Sequence, residues 1–247
     1  MATERQIVIS GMAIMMIAIV HVLYPRVEKA ASAYRHVWIP FTGGVAIGYV
    51  FLYLLPKLSD YTAAIRVDGI QGVWEILDYR VYLYCLVGFT FYYFVDQYKD
   101  PEDDNPVKPV ILKGGGFFIY NVLTGYVLAN WSRPGIIPVF LGGGVLTMHL
   151  LGVNYQVREW NNRIFDDYFR WLFAVAIIIG WGAGAFLAIP KELEMVVTGV
   201  LAGGIITNIM IEEIPSRQPR KTRPFLGGVA LIVLVTAFLR SLPRMVQ

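Results

Sequence analysis

Residues Phe41–Pro56 read FTGGVAIGYVFLYLLP. The run is apolar, opens on a pair of glycines and closes on proline. A related run returns late in the chain at Val197–Pro215, VTGVLAGGIITNIMIEEIP. Both place small residues (Gly43-Gly44 and Gly203-Gly204) ahead of a bulky apolar stretch. Small residues let helix backbones approach closely in a bilayer, so each run predicts a tightly packed membrane helix.

The rest of the chain agrees with that reading. Of 247 residues, 56% are hydrophobic and 16% charged, and the mean hydropathy is +0.55. A soluble domain of this size needs more polar surface. The net charge of +3 carries no nucleic-acid signature. Cys85 is the sole cysteine, which excludes an internal disulfide and a cysteine-based zinc cluster. No Ser-His-Asp or paired-carboxylate arrangement points to an enzyme, and no organic cofactor is indicated.

Apolar runs of about 20 residues cross a bilayer as helices. The expected fold is an all-α polytopic bundle, one transmembrane domain over residues 1–247, with eight spans. They are Ile7–Leu23, Val37–Leu55, Val81–Val95, Gly116–Asn130, Gly135–Tyr155, Phe169–Ile189, Met195–Ile214 and Phe225–Leu239. The first ends before Tyr24-Pro25 and is read as a retained span, not a signal peptide. The fourth is short and interrupted by Gly125, with Gly114-Gly115-Gly116 as a flexible entry. Asp60–Arg80 has room for a surface helix around Trp74, and Asp96–Lys113 carries the acidic turn DPEDDNP. Of the 21 Lys and Arg, 13 fall on one side of this topology and 8 on the other. The densest cluster, RQPRKTR, precedes the last span. The excess of positive charge on cytoplasmic loops then places both termini outside the cytoplasm, in an inner or plasma membrane.

Four stretches carry a resemblance. GGVAIGYVFLYLLPK in the second span and LAGGIITNIMIEEIP in the seventh resemble the Gly-rich, Leu-Leu-Pro and Glu-Ile-Leu-Pro spans of the ZIP family of divalent-metal transporters. Tyr120–Gly125, YNVLTG, stands where that family has His-Asn-x-x-Asp/Glu-Gly, and His149 stands where its His-x-x-x-Glu begins. The resemblance implies a ZIP-like bundle, a transport-type function and a metal path. It assigns Asn121, His149 and Glu212 as surviving metal ligands. The other family positions have changed: Tyr53 and Tyr120 replace histidines, Lys57 replaces a glutamate, and Thr124 and Val153 replace carboxylates. With the carboxylates of the fourth and fifth spans lost and Lys57 repelling cations, the resemblance implies a divergent member with a degenerate metal site. A divalent metal is the one cofactor it allows.

Two functions stay open. Asn121, Thr124, His149, Asn208 and Glu212 line an altered path for a metal cation or small polar solute. Alternatively, Tyr53, Lys57 and Tyr120 block that path, and the protein is a membrane scaffold or a subunit of a larger membrane complex. Each polar residue also has a plain reading. His149 is either a ligand, a proton-handling group or a neutral core histidine. Asn121 and Thr124 share a helix face and either bind a solute or bond between helices. Asn208 pairs with Thr207 or reaches Asn121. Glu212 faces the bundle or the basic loop. His21 and His36 sit at span ends and are read as interfacial, with Trp131, Trp160 and Trp171 in an aromatic belt. Trp181 is read as packing. The pairs Gly44/Gly48, Gly180/Gly184 and Gly199/Gly203 predict close helix contacts, within the chain or with homo-oligomer or complex partners.

Overall fold

The computed structural model describes residues 4–66, 80–98, 107–130, 136–187, 189–213 and 219–241. Their regular structure is entirely helical: α1 Glu4–Ala31, α2 Arg35–Tyr49, α3 Leu55–Arg66, α4 Arg80–Gln97, α5 Val107–Ala129, α6 Ile136–Trp160, the single turn α7 Asn162–Ile164, α8 Arg170–Phe186, α9 Lys191–Asn208 and α10 Pro219–Ser241. Three π turns, Val50–Leu54, Phe165–Phe169 and Ile209–Glu213, join or extend them. The two glycine-rich runs that predict packed helices are α2 and α9, and both widen into π turns before their prolines. Trp74 and the DPEDDNP turn lie outside the described residues.

Among the described residues, four stretches are long and apolar enough to cross a membrane: Gln6–Asp60, Val107–Ala129, Asn162–Phe186 and Lys191–Ile211. The chain is a helical membrane protein. The first stretch holds two arms. On α6, Ala13, His21 and Glu28 of α1 meet Gly143, Asn154 and Arg158 in rising order, so α1 and α6 run parallel. Arg35 and Trp38 of α2 meet Glu159 and Tyr155 in falling order. The chain therefore reverses at the Ser32–Tyr34 turn.

Glycine fixes three further pairings, each parallel and each reciprocal. A Cβ at Gly44 of α2 would lie 2.0 Å from the Phe225 carbonyl of α10, and one at Gly228 2.1 Å from the Phe41 carbonyl. Gly88 of α4 and Gly203 of α9 meet the carbonyls of Val200 and Cys85 in the same way, at 2.2 and 2.0 Å. Gly125 of α5 and Gly180 of α8 meet those of Ile177 and Val122, at 2.1 and 1.9 Å. Real Cβ atoms do not sit this close to backbone, so only glycine permits these crossings. All three predicted glycine pairs make close contacts inside the chain.

Several expectations are corrected. Gly125 does not interrupt α5, because the Ile177 backbone occupies the space it leaves. Gly114–Gly116 lies within α5 and is not a flexible entry. A Cβ at Gly114 would strike the Phe169 ring at 2.2 Å, and this packing overrides the poor helix propensity of glycine. α1 does not stop at Leu23. It runs through Pro25 to Ala31, because Tyr24 and Glu28 on either side of the proline are anchored in the core. The segment Pro219–Arg223 of the basic cluster forms the start of α10.

Candidate functional site

The polar residues of the core are arranged in layers on α1, α5, α6 and α9. α1 buries the stripe Ser10, Ile14, Ile17, His21, Tyr24 and Glu28. Its spacing of four, three, four, three and four keeps these residues on one helix face. His21 is fully buried, which corrects its interfacial assignment. Its Nδ1 lies 2.8 Å from Asn154 Oδ1 and its Nε2 2.9 Å from Asn121 Oδ1. Asn121 Nδ2 donates to the Phe117 carbonyl at 2.8 Å, so its oxygen faces the ring and accepts from Nε2–H. A neutral imidazole must then accept at Nδ1. A hydrogen bond at Nδ1 of the neutral ring therefore requires the Asn154 carboxamide to be turned so that its NH2, which has no hydrogen-bond partner among the described residues, takes the place of Oδ1. The triad ties α1, α5 and α6 together.

The next layer is Tyr120 and His149. The phenol oxygen of Tyr120 is 2.6 Å from His149 Nε2, and both residues are buried. Tyr120 also packs its ring edge-on to Tyr92 at 5.7 Å and against Phe117 at 5.9 Å. Thr124 donates to the Tyr120 carbonyl one turn back at 2.8 Å. Asn121 and Thr124 thus spend their hydrogen bonds on His21 and on their own helix. Asn208 is buried, but its neighbour Thr207 bonds to the Phe89 carbonyl at 2.9 Å and the Gly203 carbonyl at 3.0 Å. Glu212 falls on the π turn after α9, and its side chain is outside the described residues. Among the described residues, no three His, Cys, Asp or Glu side chains come together as a metal-binding group.

The other two blocking candidates, Tyr53 and Lys57, sit nearer the opposite end. Tyr53 stacks on Tyr49 with ring centroids 5.3 Å apart. Lys57 is buried, and its ammonium lies 3.9 Å from a Glu194 carboxylate oxygen. Its positive charge is therefore answered locally.

Two features of the other end were not visible residue by residue. The first is an ionic cluster centred on Glu28, whose side chain is 5% exposed. Glu28 accepts from Arg35 and from Arg158, the latter at 2.5 Å. Arg158 also donates twice to Asp166, both at 2.9 Å. These bonds raise the Arg158 guanidinium further above its ordinary pKa. Four elements are clamped: the end of α1, the start of α2, the end of α6 and the turn before α8. The α1 stripe holds the signal for both His21 and Glu28, since the two polar residues share its spacing with the buried apolar ones.

The second is a recess of about 20 Å³ where α4, α5, α6 and α9 converge, large enough for one water-sized group. Phe117 and Tyr92 form part of its lining, along with Asp96, Lys113, Gln156, Trp160 and Asn208. His149 is not in its wall. No protein-family model matches the chain, and no curated protein matches it.

Proposed function

We propose that this chain is an eight-span, ZIP-like integral membrane protein whose former metal path has become a hydrogen-bonded core. In this reading it serves as a membrane scaffold or as a subunit of a larger membrane complex, in an inner or plasma membrane with both termini outside the cytoplasm. One observation carries it. The position that would be a histidine ligand is Tyr120, and its hydroxyl is engaged by His149 at 2.6 Å. A metal would have to displace that bond while finding few anionic partners nearby. Asn121 is likewise engaged by His21.

A second reading, transport of a small polar solute, is favoured by the recess whose lining includes Asn208 and Gln156. Here the Tyr92–Phe117–Tyr120 aromatic group is a closed gate above a vestibule.

The test is metal content and calorimetry on purified wild type and His149→Ala, with zinc flux into proteoliposomes. The scaffold reading expects no stoichiometric metal in either protein and no flux above empty vesicles. A bound divalent metal that disappears in His149→Ala refutes it and restores a carrier.

A further inference from the structure

We propose that the recess between the ends of α4, α5, α6 and α9 is a site for a single primary-ammonium cation, and that Lys113 occupies it as a tethered plug. This goes beyond the scaffold reading and does not depend on whether the core conducts. Three of the groups that line the recess can each face a cation. Asp96 contributes a carboxylate, Trp160 an indole face and Gln156 a carboxamide oxygen. Gln156 is 6% exposed, and its Oε1 is buried with no hydrogen-bond partner among the described residues. A buried carbonyl oxygen of this kind requires an N–H or O–H donor.

Lys113 supplies part of that requirement. Its ammonium is 3.1 Å from Asp96 Oδ1 and 4.6 Å from the centroid of the Trp160 ring. An ammonium over an indole face is the favoured geometry of the cation–π interaction. An ammonium has three donors. The tethered one answers the carboxylate and the ring face and leaves Gln156 Oε1 unanswered. A free methylammonium is not held by a side-chain stem and can sit deeper, with an N–H for each acceptor. Asp96 balances one positive charge, so the site holds Lys113 or the ligand, not both. The same inventory disfavours other ions. An anion would face a carboxylate, and a divalent ion would find one acid where hard cations take several oxygen ligands.

The experiment uses the full chain in detergent and calorimetric titration with methylammonium chloride at constant ionic strength. Wild type is compared with Lys113→Ala and with Lys113→Met, which keeps the stem volume should the alanine variant fail to fold. The expected result is one-to-one binding by the plug-less variants, at least tenfold tighter than by wild type. Adding Gln156→Leu or Trp160→Leu should each weaken it at least tenfold. Tetramethylammonium, which has no N–H, should bind at least tenfold more weakly than methylammonium. The proposal is overturned if a folded plug-less variant shows no saturable binding. It is equally overturned if binding survives Gln156→Leu unchanged, or if tetramethylammonium binds as well as methylammonium.

Discussion

Arg158→Met is the substitution that most directly tests the ionic cluster. It removes three charge-assisted hydrogen bonds, one to Glu28 and two to Asp166. They do not weigh equally. The Asp166 side chain is 33% exposed and can turn to water, so its loss costs little, as for other surface pairs. Glu28 has no such escape at 5% exposure. Removing one partner of a buried ion pair costs about 3–5 kcal/mol. Arg35 remains on Glu28, which puts the expected loss at the lower end, about 3 kcal/mol. For a chain of this length that corresponds to a melting temperature lower by roughly 6–12 °C. The readout is thermal unfolding in detergent, followed by maleimide labelling of Cys85, the single and half-buried thiol. The double variant Glu28→Leu/Arg158→Met separates a charge effect from a packing effect. With the buried acid gone, the penalty for leaving it half-neutralised goes too, and the double variant should be more stable than Arg158→Met alone. The reasoning is refuted if Arg158→Met costs under about 1 kcal/mol, or if the double variant falls by the sum of the two single losses.

Other expectations follow from the same geometry. His21→Leu should destabilise by about 1–3 kcal/mol in the same unfolding assay, since it leaves two buried carboxamides without their ring partner; a neutral result would mean they find other partners. Gly180→Ala should cost roughly 3 kcal/mol by forcing α5 and α8 apart. Gly115→Ala, which meets nothing within 4 Å, should be neutral or stabilising by under about 1 kcal/mol; equal losses at the two sites would remove the argument from backbone contact. Thr124→Asp combined with Val153→Glu should bind zinc by calorimetry if the ancestral site geometry persists beneath the substitutions, and silence in a folded variant would count against the family resemblance.

Within the described residues each apolar run chosen from the sequence falls on helix except at its ends, as where the sixth runs past the close of α8 at Phe186, because length and hydrophobicity are properties of a segment that neighbours do not alter. Glycine pairs were legible for the same reason, at least as contact sites. Their partners were not. Nothing local to Gly44 says that it meets Phe225, because that contact joins segments remote in sequence. Propensity alone predicts a flexible entry at Gly114–Gly116, because it speaks for the isolated chain, whereas Phe169 packs against Gly114 in the fold. At the candidate site, the resemblance points to His149 and Asn121, both of which are buried. Distance from a span end marks His21 as interfacial and draws no attention to Glu28. Taken as members of the Ser10–Ile14–Ile17–His21–Tyr24–Glu28 face, they mark themselves as core. Tyr120 is buried in the core, but its bond to His149 depends on the angle between α5 and α6, which no pattern of residues encodes.

The reciprocal glycine crossings bear on how the chain is made. Ordered by sequence, the pairs nest: α5 with α8 innermost, α4 with α9 around it, α2 with α10 outermost. A ribosome delivers them in that order of completion. Gly44 and Gly48 therefore enter the bilayer early and wait, facing lipid or a holding factor, until the last helix arrives to cover them. A chain truncated before Pro219 would leave that groove open for good, and pulse-chase turnover of such a product against the full chain would show whether the cell reads the bare glycine face as unfinished.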